Sequence, residues 1–266
     1  MRAQLPGLLM AYTDEGEGLP LLLLHGYPLS RRLWQPQVEA LSGAARVIAP
    51  DLRGHGDTEV PPGPYTVDQL ADDAAHLLDA LAITTPVVVG GLSLGGYIAL
   101  AFQRRYPQRT AALILAATRA GADSPAAQAN RDQSAATAQS EGAPAIVAAM
   151  LPKLLAARTY TDQPAVVAEA RAIMHRATVP GLVGALMALK TRPDATAQLA
   201  GITVPVLVIH GADDTLIPPS EAEAAARALP HSRLVLVPNS GHLLNLEQPA
   251  EFNAAVRTFL ASLSRQ

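Results

Sequence analysis

No cysteine occurs among the 266 residues. Disulfides, thiolate nucleophiles and Cys-ligated zinc or iron–sulfur clusters are thereby excluded, and any covalent chemistry must run through oxygen or nitrogen. Lysine is nearly absent, found only at Lys153 and Lys190, and aromatic residues make up 4% of the chain. Twenty basic residues against 23 acidic ones, a formal net charge of −3, leave no electrostatic footprint for nucleic acid. No apolar run approaches the roughly 18 residues of a membrane span. The stretch leading to Asp14-Glu15-Gly16-Glu17-Gly18 is too short and too acidic in its flank for a signal peptide, so a cytoplasmic protein is expected. There is no His-x-His or His-Glu-x-x-His run, no phosphate-cradling Gly-Lys loop and no dinucleotide fingerprint after a strand, so neither metal nor cofactor is expected. What the chain does have is 49% apolar residues, enough for one globular domain with a full core and room for an inserted subdomain.

The apolar residues fall into short runs at 19–24, 45–49, 86–89, 111–117, 204–209 and 233–237. Runs of this length, apolar on both faces and closed by Gly, Pro or Asp, predict strands buried in a parallel sheet with helices on either side. Between them lie helical patterns, at 66–81 with Thr66 as N-cap, at 221–229 and at 249–263. Strand–helix alternation of this kind predicts a doubly wound α/β fold with a mostly parallel sheet. The rhythm breaks over residues 118–201, which are Ala-rich, carry no β-branched run and are punctuated by Pro125, Pro144, Pro152, Pro164, Pro180 and Pro193. So long an interval is too much for one crossover. It predicts an inserted helical cap on a core of residues 1–117 and 202–266, placed over the carboxyl ends of the strands, where ligands bind in open α/β sheets.

The strongest chemical signal is Gly91-Leu92-Ser93-Leu94-Gly95, directly after the third run and directly before a helical stretch. A serine on such a strand-to-helix turn is strained and exposed at the top of the sheet, with free helix N–H groups beneath it. A serine hydroxyl needs a base and an orienting carboxylate, and both occur further on in loops just past strands, as His210-Gly211-Ala212-Asp213-Asp214 and Ser240-Gly241-His242. Of seven histidines, His76, His175, His210 and His231 read as packing or surface, while His55, between two glycines after a strand, competes with the favoured His242. For the acid, Asp214 is preferred over its neighbour Asp213, which is expected to face solvent or cap the next turn, and over Asp123, just past the fourth run. The oxyanion of a tetrahedral intermediate also needs two donors. They are expected from the backbone N–H groups of Leu94 and of Tyr27, in the loop His25-Gly26-Tyr27-Pro28.

These segments, with Asp51-Leu52-Arg53-Gly54-His55-Gly56, Gly211 to Asp214 with Pro218, and Gly241-His242 followed by Glu247 and Pro249, resemble the α/β-hydrolase superfamily. Within it the chain is most similar to the branch of small bacterial carboxylesterases, 3-oxoadipate enol-lactonases and cofactor-free haloperoxidases. The resemblance implies Ser93 as nucleophile, Asp214 as acid, His242 as base and the Tyr27 and Leu94 N–H groups as oxyanion hole. It also implies an eight-stranded sheet, two strands more than the residues themselves reveal, one of them near residues 7–13. Epoxide hydrolases and haloalkane dehalogenases, which use an aspartate nucleophile, and dienelactone hydrolases, which use cysteine, are excluded by Ser93.

The expected activity is hydrolysis of small to medium carboxylic esters through an acyl-enzyme, with an ester or lactone as the small-molecule partner. Enol-lactone hydrolysis and perhydrolysis would use the same triad. A ligand receptor with a vestigial hydrolase site is the alternative of another class. Arg119, at the start of the insertion, reads either as a helix-start arginine in solvent or as a bidentate clamp for a substrate carboxylate. Nothing in the sequence reports the oligomeric state.

Overall fold

The computed structural model describes residues 1–263. Eight strands form one sheet: β1 (Arg2–Leu5), β2 (Leu8–Glu15), β3 (Pro20–Leu24), β4 (Arg46–Pro50), β5 (Val87–Leu92), β6 (Thr110–Ala116), β7 (Val206–Gly211) and β8 (Ser232–Val237). Their order is β1-β2-β4-β3-β5-β6-β7-β8. From β4 across to β8 every pairing is parallel, and β1–β2 and β2–β4 are antiparallel. The six apolar runs are β3 to β8. The two strands that the residues alone did not reveal form the edge hairpin. β1 is four residues long with only Leu5 buried, and β2 opens with the apolar run Leu8-Leu9-Met10-Ala11-Tyr12, which the sequence reading passed over, and ends in Thr13-Asp14-Glu15, with Asp14 held by Arg46 at 2.7 Å.

Side chains of the central strands alternate between two cores. Leu22, Leu24, Val89 and Leu113 face one, and Leu21, Leu23, Val88 and Ile114 face the other. The helices α2 (Val67–Ala80), α3 (Leu94–Arg105) and α9 (Pro219–Ala228) cover the first with Leu70, Ile98 and Ala222. Helices α1 (Gln35–Leu41) and α11 (Pro249–Leu263) cover the second with Val38, Phe252 and Val256, and a single turn, α10 (Leu244–Glu247), precedes α11. Thr66 caps α2 by accepting from the Gln69 N–H at 3.1 Å, a contact worth about 1 kcal/mol.

Five helices lie between β6 and β7: α4 (Pro125–Glu141), α5 (Ala143–Leu154), α6 (Thr159–Asp162), α7 (Pro164–Met174) and α8 (Val179–Thr191). They contribute to both cores, with Leu182 and Leu186 in one and Leu151 and Ile173 in the other. No single helix among the described residues is long and apolar enough to cross a membrane.

Candidate active site

Because β3, β5, β6, β7 and β8 are parallel and consecutive across the sheet, the loops after them all leave the same edge. Those loops carry Tyr27, Ser93, Arg119, Asp214 and His242 in that spatial order. Ser93 lies between β5 and α3, as the N-cap of the helix, with φ +56° and ψ −112°, a conformation that costs a non-glycine residue about 1–3 kcal/mol. Two bonds hold it there: the Ser93 N–H donates to Ala116 O at 2.9 Å, and Thr118 Oγ1 donates to Ser93 O at 3.0 Å. The flanking glycines are a steric necessity. A Cβ on Gly91 would lie 2.0 Å from Gly95 O, and one on Gly95 would lie 2.0 Å from Leu24 O.

Among the described residues neither the Tyr27 nor the Leu94 N–H donates to a protein acceptor. The loop bearing Tyr27 is pinned by His25, fully buried, whose Nδ1 pairs with Gly26 O at 2.9 Å while Nε2 accepts from the Leu52 N–H at 2.9 Å. His55 packs edge-on against His25, with ring centroids 5.3 Å apart, and its Nδ1 pairs with Arg53 O. Among the described residues it forms no hydrogen bond or ion pair with Asp213 or Asp214.

The structure brings Asp214 and His242 together, with His242 Nδ1 2.8 Å from Asp214 Oδ2. The same oxygen lies 3.2 Å from His210 Nε2, and Oδ1 accepts from the Leu216 and Ile217 N–H groups at 2.9 and 3.0 Å. Burial opposes charge on Asp214, yet His242, His210 and the Ile217 N–H outweigh it and hold the carboxyl well below its ordinary range. Asp213 is exposed. His242 Nε2 is buried and takes no hydrogen bond among the described residues, so it and Ser93 are not yet bonded. Sequence reading assigned His210 to strand packing. Its spacing of four from Asp214, across the end of β7, was the available sign that the two share a site.

Ser93 lines a cavity of about 80 Å³ together with Tyr27, Tyr97, Arg119, Arg131, Met150 and Leu189. A wider cleft of about 560 Å³ shares Tyr27, Arg119, Arg131 and Met150 and adds Lys153. Arg119 is neither free in solvent nor isolated. Its side chain is 27% exposed and lies 2.8 Å from Asp123, with Nε buried and unpartnered. Asp123, the third candidate acid, is wholly buried and shared among Arg119, Arg131 at 3.0 Å and Arg192 at 2.7 Å. Burial opposes its charge, but Arg192 and Arg131 prevail and lower its pKa. Among the described residues its ion pairs are with arginines, and none is with a histidine. Arg192 is further committed to the carbonyls of Leu189 and Gly121 and stacks 4.2 Å over Tyr97. Three guanidiniums therefore share one carboxylate, and two of them face the Ser93 cavity. That cluster was invisible in sequence, because Arg131 and Arg192 reach Asp123 only once the helices of the insertion have folded back.

Among the described residues no group of three or more His, Cys, Asp or Glu is placed to hold a metal ion. Among solved structures the chain is similar to a thermophilic esterase from Thermogutta terrifontis with malate bound, at 41% identity and a TM-score of 0.96, covering 99% of this chain and 98% of that one. It is also similar to the enol-lactonase from Burkholderia xenovorans, at 32% identity and a TM-score of 0.91 over 98% of this chain and 100% of that one. Among curated proteins it is 30% identical to 3-oxoadipate enol-lactonase 2 of Acinetobacter baylyi over 228 residues, 86% of this chain and 83% of that one. The model of the alpha/beta hydrolase fold matches residues 20–249, the span that runs from β3 to the start of α11. A sheet of this order, its serine turn and these likenesses agree, and the chain belongs to the α/β-hydrolase fold family.

Proposed function

We propose that this hydrolase cleaves carboxylic esters through an acyl-enzyme on Ser93. The observation that carries the reading is the 2.8 Å bond from His242 Nδ1 to Asp214, which leaves His242 Nε2 as a buried, unpartnered base on the edge of the sheet where the strained Ser93 emerges. In this reading Ser93 Oγ attacks the ester carbonyl while His242 Nε2 takes its proton, and Asp214 stabilises the imidazolium that forms. The oxyanion is met by the Tyr27 and Leu94 N–H groups. His242 then protonates the departing alcohol, and a water activated by the same nitrogen releases the acid. Residues 118–201 act as the cap, supplying Arg119, Arg131, Met150 and Leu189 to the cavity wall. Initial rates on p-nitrophenyl esters of increasing acyl length test this. Ser93→Ala is expected to lose at least about a thousandfold in kcat. Full activity in that variant would overturn the mechanism, and a single equivalent of nitrophenol followed by silence would favour a receptor.

The arginines favour a narrower substrate class, an ester or lactone that carries a carboxylate. Arg119 and Arg131 face the Ser93 cavity with only a share of Asp123 to balance them. Two relatives named as enol-lactonases and an esterase with malate bound are in keeping with an acidic ligand. Charge-assisted hydrogen bonds to a carboxylate contribute enough that Arg119→Ala is expected to lower kcat/KM on p-nitrophenyl hemisuccinate by about ten- to a hundredfold. The neutral butyrate ester is expected to change little. Equal losses on both would remove the clamp.

A further inference from the structure

Glu247 is 2% exposed and lies in α10, five residues after His242. Its carboxylate accepts three hydrogen bonds from two separate parts of the chain. Oε1 takes the N–H of Gly241, the residue before His242, at 2.8 Å. Oε2 takes the Ala156 N–H at 2.8 Å and the Thr159 hydroxyl at 2.6 Å. Ala156 and Thr159 belong to the turn from α5 into α6, and α5 carries Met150 of the Ser93 cavity. On the other side of His242, the Leu243 N–H donates to Leu154 O at 3.0 Å. His242 is thus bracketed, residue before and residue after, by bonds that end on the same turn of the insertion. The backbones meet closely there, since a Cβ on Gly241 would lie 2.6 Å from Ala156 N.

The support beneath Glu247 is rigid. Asn245, two residues earlier in α10, donates to Leu33 O at 2.9 Å and to Gln37 Oε1 at 3.0 Å, and Gln37 in turn donates to Asn253 of α11 at 3.0 Å. The donors around Glu247 also specify its chemistry. All three partners donate, so an ionised carboxylate, which only accepts, matches them completely, whereas an amide must turn an NH2 toward one of them. Burial opposes that charge and, helped by the nearby Asp214, outweighs the three donors, so the carboxyl titrates above its ordinary range.

We propose that Glu247 is a positioning residue that ties the backbone of His242 to the base of the helical insertion, so that the imidazole and the cavity wall are set by one joint. The proposal rests on His242 acting as the base for Ser93. Glu247→Gln keeps the shape and breaks at least one attachment. Thr159→Val removes a single bond on the insertion side and leaves the Gly241 bond and the carboxylate in place. Both variants and the wild type are assayed on p-nitrophenyl acetate at a temperature where circular dichroism and thermal unfolding show each folded. Glu247→Gln is expected to lose tenfold or more in kcat with KM changed less than about threefold, and Thr159→Val to lose severalfold in kcat.

If Glu247→Gln melts earlier but keeps its kcat, Glu247 is merely structural and the proposal is overturned. Should Glu247→Gln fail to fold, Thr159→Val decides alone: an unchanged kcat there overturns the coupling to the insertion. A wild type with no Ser93-dependent turnover would instead overturn the hydrolase reading, a result distinct from either.

Discussion

The imidazole of His25 is committed on both sides, Nδ1 to Gly26 O and Nε2 to the Leu52 N–H, each at 2.9 Å. Only the neutral ring fits, because a proton on Nε2 would face another N–H. Burial, then the neighbouring His55, push its pKa from 6.5 down to about 3, against a smaller upward effect of the bond to Gly26. His55 is lowered as well, by burial above all. The native state therefore binds protons less readily than the unfolded chain. Stability from His25 is complete above pH 6.5 and is lost as pH falls from there toward about 3. Each pKa unit is worth about 1.4 kcal/mol, so several kcal/mol are at stake, against a typical stability of about 5–15 kcal/mol. Calorimetry between pH 8 and pH 4 is expected to show the wild-type Tm falling by roughly 10 °C. His25→Asn is expected to start lower at pH 8 and fall less steeply below pH 6.5, and parallel curves would show that His25 is not the cause. His25 was legible only as part of a loop motif. Its bond to Leu52, which links the loops after β3 and β4, depends on their being neighbours in the sheet.

At the scale of elements, legibility followed burial. The strands β3 to β7 are apolar because both faces are covered, and a continuous apolar run is what that environment leaves in a sequence, whereas β8, at the far edge, keeps its apolar run with only Val237 buried. The hairpin of β1 and β2 lies at the edge of the sheet; β1 is short and mostly exposed, and the apolar half of β2, Leu8 to Tyr12, runs straight into Thr13-Asp14-Glu15 with no turn residue to close it, so the run did not stand out as a strand. The prolines of the insertion carried more information than breaks between helices. Pro125 and Pro164 are the first residues of α4 and α7, and Pro144 and Pro180 the second of α5 and α8. Proline is favoured there because its missing N–H would have no partner in the first turn. Read as starts, these four prolines give four of the five helices, and only Pro152 lies inside one. The same signal places the start of α9 at Pro219, two residues before the sequence reading. Local rules therefore reach the elements. They do not reach the contacts between them, such as Glu247 with Ala156 across 91 residues, which exist only once the insertion has docked.

The whole molecule has a formal charge of −3, yet the cleft leading to Ser93 is lined by Arg119, Arg131 and Lys153, with no acidic residue at its wall. Which of these an anionic substrate feels depends on distance and salt. At physiological ionic strength the Debye length is about 8 Å, so the dispersed negative charge of the surface is screened while the arginines at the cavity act at contact range. Sequence arithmetic alone, giving a small net negative charge, would predict weak repulsion of an acidic ester. Placement reverses the sign, because charges held in a concave wall of low dielectric focus their field into the cleft. Raising salt from about 0.01 M to 0.5 M shortens the screening length from about 30 Å to a few ångströms. It is expected to lower kcat/KM severalfold for p-nitrophenyl hemisuccinate and to leave the neutral butyrate ester within about twofold. Arg119→Ala should flatten the salt dependence of the acidic ester as well as lower its rate. A wild type whose two esters respond to salt alike would mean that the cleft exerts no useful field on its substrate, and that the arginines serve only to hold Asp123 and the helices around it.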